Sequence, residues 1–309
     1  MKEIKTVFLI PCYNEEVSIE DVVNSAKAAV PGAEIYVCDN NSTDKTSQKA
    51  AAAGAKVLFE PAPGKGNAVR RLLSVAEADV YIMIDGDSTY ELKDAAAFAR
   101  EMVEKNIDFI NVARKHTDQQ AYRGGHLLGN FILTKTAALF FGNKINDMLS
   151  GYKIFSRKFV KTFPSFSRGF EIETELVIFS LSSRFSVVEK SALYYPRPEN
   201  SPSKLSTFKD GFKILFTIFN LIREERPLLF FTSVAAAAAA FAIILAIPVF
   251  VDYINTGLVA KIPTAVLVTG IMVWSLMLFT TGLILDTIVK NRKEHRRQLF
   301  MNIEKVKED

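Results

Sequence analysis

The sequence predicts an α/β body built on a mostly parallel sheet, followed by an amphipathic helix and two membrane helices. Three observations carry that prediction. Short apolar runs alternate with helix-length segments over the first 113 residues. Polar clusters rich in Asp and Asn follow directly on several of those runs. Residues 227–251 and 262–285 carry no charged side chain over 25 and 24 residues, where about 20 suffice to cross the roughly 30 Å hydrocarbon layer. The composition, 49% hydrophobic and 23% charged, excludes a mainly disordered or collagen-like chain. Two cysteines, Cys12 and Cys38, make no disulfide framework, and a net charge of +4 is too small to imply a nucleic-acid partner.

Residues 7–10 read as the first strand; the apolar stretch turns polar at once, so it is no secretory signal. A helix follows at 18–29, a strand at 35–38, a helix at 44–53, a strand at 56–59 and a helix at 66–76. Residues 80–84 (VYIMI) form a fully apolar strand, 92–105 a helix, and 109–113 another strand. Strands this apolar, alternating with helices, imply a parallel sheet covered on both faces. Ligands of such sheets bind beyond the carboxyl ends of the strands, where residues 11–16, 39–44 and 85–87 lie.

From residue 207 to 226, Phe212, Leu215, Phe216, Phe219 and Ile222 recur at helical spacing, with Lys209, Lys213 and Arg223 among the polar positions. Such a helix lies in a membrane interface or packs as a core helix on the sheet. Leu127, Leu128, Phe131, Ile132 and Ala138 suggest a second interfacial helix, with Arg123 just before it. The two spans are expected at about 227–251 and 264–288, and a basic tail at 290–309. A buried hairpin in a soluble core is the alternative, disfavoured by hydrophobic length, the alanine run at 235–240 and the flanking charges. Arg223 and Arg226 precede the first span, and Lys290, Arg292, Lys293, Arg296 and Arg297 follow the second; the connection carries only Asp252 and Lys261. The positive-inside rule then puts body and tail in the cytoplasm of a multi-pass membrane protein. A single hairpin buries little helix surface, which leaves room for a homo-oligomer.

Asp85-Gly86-Asp87 is the sharpest piece of chemistry. Two carboxylates one residue apart at a strand end can share a hard divalent cation, Mg²⁺ or Mn²⁺, with substrate phosphates, and Gly86 permits close backbone approach. Read without that context, the triplet is a solvated turn. In the run Asp39, Asn40, Asn41, Ser42, Thr43, Asp44, the Asp39 carboxylate can accept hydrogen bonds from a base or ribose while Ser42 or Asp44 caps the next helix. Gly64-Lys65-Gly66-Asn67 offers flexible backbone, a helix N-terminus and one cation, suited to a diphosphate.

Together these residues resemble the family 2 glycosyltransferases of GT-A (Rossmann-like) fold. Pro11-Cys12-Tyr13-Asn14-Glu15 looks like that family's P-x-Y-N-E opening, residues 39–44 like its D-x-x-S-x-D loop and residues 85–87 like its D-x-D. Asp147 to Lys153 (DMLSGYK) is similar to the D-x-x-S-G-F-[RK] segment of polyprenyl-phosphate glycosyltransferases resembling dolichol-phosphate mannose synthase, and Ser203-Lys204-Leu205-Ser206 to their S-K-L box. The resemblance covers about residues 4–210 and implies a glycosyltransferase domain over 1–206. It implies nucleotide-sugar contacts from Pro11, Tyr13, Glu15, Asp39, Asn40, Asn41, Lys65, Asp85, Gly86 and Asp87. Metal binding would fall to Asp85 and Asp87, and catalysis to Asp85, Asp87 and Arg114. The branch often continues as D-x-D-x-Q, whereas Thr89 stands here, a poorer ligand whose place a water would take.

A nucleotide-diphosphate sugar needs a cation on its leaving diphosphate, and a sugar-hydroxyl acceptor would also need a general base. A polyprenyl monophosphate, undecaprenyl or dolichyl, is already anionic and needs positive charge instead. Arg114, Arg123, Arg197 and Lys204 are the candidates, Arg114 and Lys204 the strongest. Glu171, Glu173 and Glu175 read as an acidic helix start, and the resemblance puts an acceptor-side or sugar-contacting carboxylate at Glu173 or Glu175. The competing classes are another membrane glycosyltransferase, acting on a different lipid or on a polysaccharide, and a non-catalytic scaffold. The Q-x-x-R-W of processive synthases is absent, since the only tryptophan, Trp274, lies in a span. Intact Asp85 and Asp87 argue against a scaffold.

Overall fold

The structure, a computed structural model, describes residues 4–116, 134, 142, 145–183, 185–198 and 207–303. The chain divides into two compact units, Met1–Ile218 with Gln298–Asp309, and Phe219–Arg297.

The first unit is built on a seven-stranded sheet. Strand β1 (Thr6–Cys12) lies between β2 (Glu34–Asp39) and β4 (Val80–Met83), and β3 (Lys56–Phe59) adds to the far side of β2. Beyond β4 come β6 (Lys153–Ser156), β5 (Phe109–His116) and, at the other edge, β7 (Val187–Tyr194). Four of the six pairings are parallel; β6 runs antiparallel to both β4 and β5. The connections carry α1 (Ile19–Ala29), α2 (Thr46–Ala52), α3 (Lys65–Val75) and α4 (Ala95–Glu104), and α5 (Arg157–Thr162) and α6 (Ile172–Ser182) follow β6.

Every residue of β1 and β4 is buried. A strand covered on both faces must be apolar throughout rather than alternating, which is why both are continuous runs. Pro11 fits inside β1 because Ile84 N–H bonds Leu9 O while Asn40 N–H bonds Cys12 O. Residues 9 and 11 therefore face β4, whose paired register ends at Met83 opposite Leu9, so the missing N–H of Pro11 costs no ladder bond. A satellite core of Phe109, Phe155, Phe159, Phe163, Phe179 and Phe185 sits among β5, β6, α5 and α6, with ring centroids 5.1–5.8 Å apart. Because β1, β2 and β4 are parallel, the segments after Cys12, Asp39 and Met83 emerge on one side, as the sheet rule requires.

Helix α7 (Thr207–Glu225) begins in the first unit and ends in the second. It buries Ile214, Ile218 and Ile222 and exposes Phe212, Leu215, Phe216 and Phe219, so Ile222 faces away from the exposed stripe. In the second unit, α8 (Pro227–Thr256) and α9 (Ile262–Asn302) are long and apolar enough to cross a membrane. Gly257, at φ +69, ends α8 in the left-handed conformation, its N–H on Tyr253 O at 2.8 Å. Helix α9 outruns the expected span and continues through the basic segment. Ser275 Oγ donates to Ala235 O at 2.8 Å, and a Cβ on Gly282 would lie 2.9 Å from Phe231 Cβ, so small residues set the contact between the two helices. Glu225 gathers Arg292, Lys293 and Arg296 at 2.9, 3.1 and 3.7 Å.

Candidate active site

The Asp85-Gly86-Asp87 turn leaves β4 at its carboxyl end. Buried Ser18, just before α1, donates to Gly86 O at 2.7 Å. A Cβ on Gly86 would stand 2.5 Å from Cys12 Sγ, so a larger residue would have to displace that buried side chain of β1. Thr89 donates to Asp87 Oδ1 through its hydroxyl at 2.6 Å and its N–H at 3.3 Å. At this site Thr89 orients Asp87, a role its residue type alone did not suggest. The Asp85 carboxylate lies against Gly151, where a Cβ would come within 2.1 Å of Oδ2; the glycine of the DMLSGYK segment leaves room for it.

Two cations meet these carboxylates. Lys65, the first residue of α3, reaches Asp85 Oδ1 and Glu173 Oε1, both at 2.5 Å. Arg197, after β7, reaches Asp87 Oδ2 at 2.7 Å and Glu15 Oε1 at 3.8 Å. Burial resists ionisation of Asp85, but the Lys65 ammonium outweighs it and holds the carboxyl below its usual range. Burial, and then the charge of Asp85, push Asp87 up. Burial pulls the Lys65 ammonium down, and Asp85 and Glu173 more than reverse that.

The Pro11–Glu15 and 39–44 segments clasp each other. Asn14, at φ +52, receives Thr43 N–H on its Oδ1 at 2.8 Å and gives its own N–H to Ser42 Oγ at 2.9 Å. Glu15 N–H bonds Thr46 Oγ1 at 2.9 Å. Asp39 accepts Ser42 N–H at 2.9 Å and the Ser47 hydroxyl, so its carboxylate braces the loop. Asn40 is spent on backbone: its amide donates to Glu60 O and Ala62 O and accepts Gly64 N–H. Tyr13 and Asn41, the latter at φ +65, stand exposed.

Carboxylates of α6 divide their work. Glu173 faces Lys65, whereas Glu175 accepts Phe166 N–H and Ser167 N–H at 2.9 and 2.8 Å. The strand of backbone so held crosses Gly64 and Gly66; a Cβ on either would come within 2.2 Å of Arg168 O or Ser167 O. Glycine is needed in the G-K-G run for this crossing. Arg114 grips Asp147 bidentately at 2.8 and 2.7 Å and lies 5.6 Å from the Tyr194 ring centre, forming a neutral pair. Asn111 donates to Asp147 O at 2.9 Å and to Glu189 Oε1 at 3.0 Å, and fully buried Lys153 donates to Asn111 Oδ1 at 2.7 Å. Arg123, Lys204 and the expected helix around 127–138 lie outside the described residues, Thr134 apart.

The model of the family described as "Glycosyl transferase family 2" matches residues 7–163, half of the chain and all three strand-end motifs. The chain belongs to glycosyl transferase family 2. Glycosyltransferase AglJ of Haloferax volcanii is 30% identical over 94% of this chain and 96% of its own length. A dolichyl-phosphate hexose transferase of the same organism is 23% identical over 69% of this chain and 92% of its own. Glucosyl-3-phosphoglycerate synthase of Mycobacterium tuberculosis, solved with Mn²⁺ and uridine diphosphate, superposes with a TM-score of 0.55 at 24% identity, covering 71% of this chain and 80% of that one. That likeness fixes the GT-A fold.

In this family 2 glycosyltransferase the donor set suits a hard divalent ion. Asp85 and Asp87 offer carboxylate oxygens, and Mg²⁺ is commonly held by one or two carboxylates plus substrate phosphates. Among the described residues no three His, Cys, Asp or Glu side chains gather round one point, so the remaining ligands would come from substrate and water. Sequence reasoning missed Ser18, Asn111 and Glu189. Ser18 and Gly86 are 68 residues apart, and nothing local marks their meeting.

Proposed function

We propose that this glycosyltransferase moves a sugar from a nucleotide-diphosphate sugar to a polyprenyl phosphate at the cytoplasmic face of a membrane, with inversion at the anomeric carbon. The observation that carries the reading is the commitment of the carboxylates around the D-x-D. Asp85 and Glu173 hold Lys65, Asp87 holds Arg197 and Thr89, Glu175 holds backbone, and Asp147 holds Arg114. Such a site suits an acceptor that arrives ionised better than a neutral hydroxyl that needs a base.

The lipid phosphate oxygen attacks the anomeric carbon, the bond from that carbon to the β-phosphate oxygen breaks, and a nucleoside diphosphate leaves. Asp85 and Asp87 are the residues that would hold Mg²⁺ or Mn²⁺, which when bound neutralises charge on the diphosphate. Lys65 supplies positive charge from the start of α3, and Arg197 and Arg114 flank the turn from the β7 and β5 sides. The clasped loops of residues 13–16 and 39–44 shape the nucleotide end. Among the described residues around the turn, no carboxylate is left over to serve as the nucleophile of a double displacement. Arg123 and Lys204 complete the acceptor side in this reading.

Helices α8 and α9 supply the membrane anchor, the exposed stripe of α7 lies at headgroup depth, and the basic flanks stay cytoplasmic. Similarity to a protein named for dolichyl phosphate supports the acceptor class. The test is sugar transfer by the full chain in vesicles carrying undecaprenyl or dolichyl phosphate, offered UDP-glucose, UDP-N-acetylglucosamine and GDP-mannose in turn. Sugar should enter the lipid phase from one donor. Transfer to water or to a soluble sugar with both lipids present would refute the reading.

A further inference from the structure

Each carboxylate of the D-x-D turn is matched by a cation, and each of those cations is matched by a second carboxylate. Lys65 sits between Asp85 and Glu173 at 2.5 Å from both. Arg197 sits between Asp87, at 2.7 Å, and Glu15, at 3.8 Å. Glu15 and Glu173 are as deeply buried as Asp87 or nearly so, so neither pair is a loose surface contact. Among the described residues, four carboxylates close on these two cations. Lys153 donates to Asn111 and Met148 O and acts on Glu173 through its charge alone.

We propose that Lys65 and Arg197 hold the place of the divalent ion on Asp85 and Asp87 and pass to the phosphates when that ion binds, while Glu173 and Glu15 act as positioning residues that keep each cation at the site. This rests on the metal and nucleotide-sugar reading above. A divalent ion shared by Asp85 and Asp87 repels an ammonium and a guanidinium lying within a few ångströms. A diphosphate brings in negative charge that accepts them, Arg197 bidentately and Lys65 as a point charge. Each cation exchanges one partner and retains the other, so neither has to leave the pocket. Metal and nucleotide then bind with positive coupling, since each removes a competitor for the other, and the coupling is reciprocal.

The test is Mn²⁺ affinity of the full-length protein in detergent, with no nucleotide present, read from the free-Mn²⁺ electron paramagnetic resonance signal. Arg197→Gln and Lys65→Met should bind Mn²⁺ about tenfold more tightly than wild type, the loss of one competing charge. With Mn²⁺ saturating, the same variants should bind UDP or GDP, whichever the wild type prefers, more weakly. That opposition of sign separates exchange from bracing. Arg197→Lys keeps the charge and should stay near wild type on Mn²⁺. A thermal-unfolding series should show Mn²⁺ raising Tm more for Arg197→Gln than for wild type, and Lys65→Met carries the comparison if that variant does not fold. Mn²⁺ affinity equal to or below wild type in the variants would overturn the exchange. Wild-type Mn²⁺ binding unchanged by Asp85→Asn would instead overturn the metal reading beneath it.

Discussion

Asp87 is almost sealed from solvent, yet two donors and a guanidinium converge on it. With Thr89 fixing its orientation, the carboxylate is pre-organised to take a divalent ion, which would neutralise charge on the leaving diphosphate. Asp85→Asn or Asp87→Asn should therefore cost roughly 10²–10⁴-fold in initial transfer rate, and chelation of divalent ions should mimic either. Turnover like wild type in excess chelator would contradict this. Lys153 offers a second test at this scale. Burial pulls its ammonium from the usual 10.5 down to about 8, against the pull of Glu173 and Asp147. Below pH 8 the charge is carried folded and unfolded alike; between pH 8 and 10.5 the unfolded chain binds more protons, so stability attributable to Lys153 rises with pH. Comparing thermal unfolding of wild type and Lys153→Met across that window should show a more positive slope with pH in wild type. Equal slopes would place the lysine's titration elsewhere.

Elements differ in how plainly the sequence announces them. Strands β1, β2, β4 and β5 are legible because each carries an apolar run that is largely buried, and β3 because its edge run is apolar though part-exposed. The carboxyl ends of β1, β2 and β4 mark the site. Strand β6 is four residues long and begins with buried Lys153, so no apolar run betrays it. Strand β7, VVEKSALY, is only half buried at the sheet edge and mixes polar with apolar positions. The motifs located Asp85, Asp87, Lys65 and Glu173, but not the pairing among them, because Lys65 and Glu173 are 108 residues apart. Nor could spacing say that Glu175 serves the backbone at Phe166 and Ser167 instead of the site. The crossing of that backbone over α3 makes a prediction. Gly66→Ala drives a Cβ to 2.2 Å from Ser167 O, and overpacking of this kind costs about 1–3 kcal/mol. Thermal unfolding should shift down and transfer should fall with it, as Lys65 moves with the helix start. An unchanged midpoint would mean that the crossing segment yields freely.

For the whole molecule, the two long helices carry charge-free stretches of 25 and 24 residues, enough by length to cross a membrane. Helices α8 and α9 expose Phe241, Ile244, Phe250, Val266, Leu276 and Ile284, an apolar surface of the kind that marks a protein or membrane contact. On the proposed topology, a cysteine introduced at Asn255 in intact cells should react with an impermeant reagent from outside, and one at Glu308 should not. Native Cys12 and Cys38 are buried and give little background. The reverse pattern would place the catalytic body on the wrong side for a nucleotide sugar. A phosphate monoester has a second pKa of about 6, so the acceptor is mostly dianionic at neutral pH without help from the enzyme. Inverting transfer to that phosphate is read straight from the structure of the lipid product. Mass spectrometry and the anomeric coupling constant of product made from an α-linked donor should show one sugar, one phosphate and a β linkage. A retained α linkage, a trapped glycosyl-enzyme, or a diphosphate-linked product would contradict it.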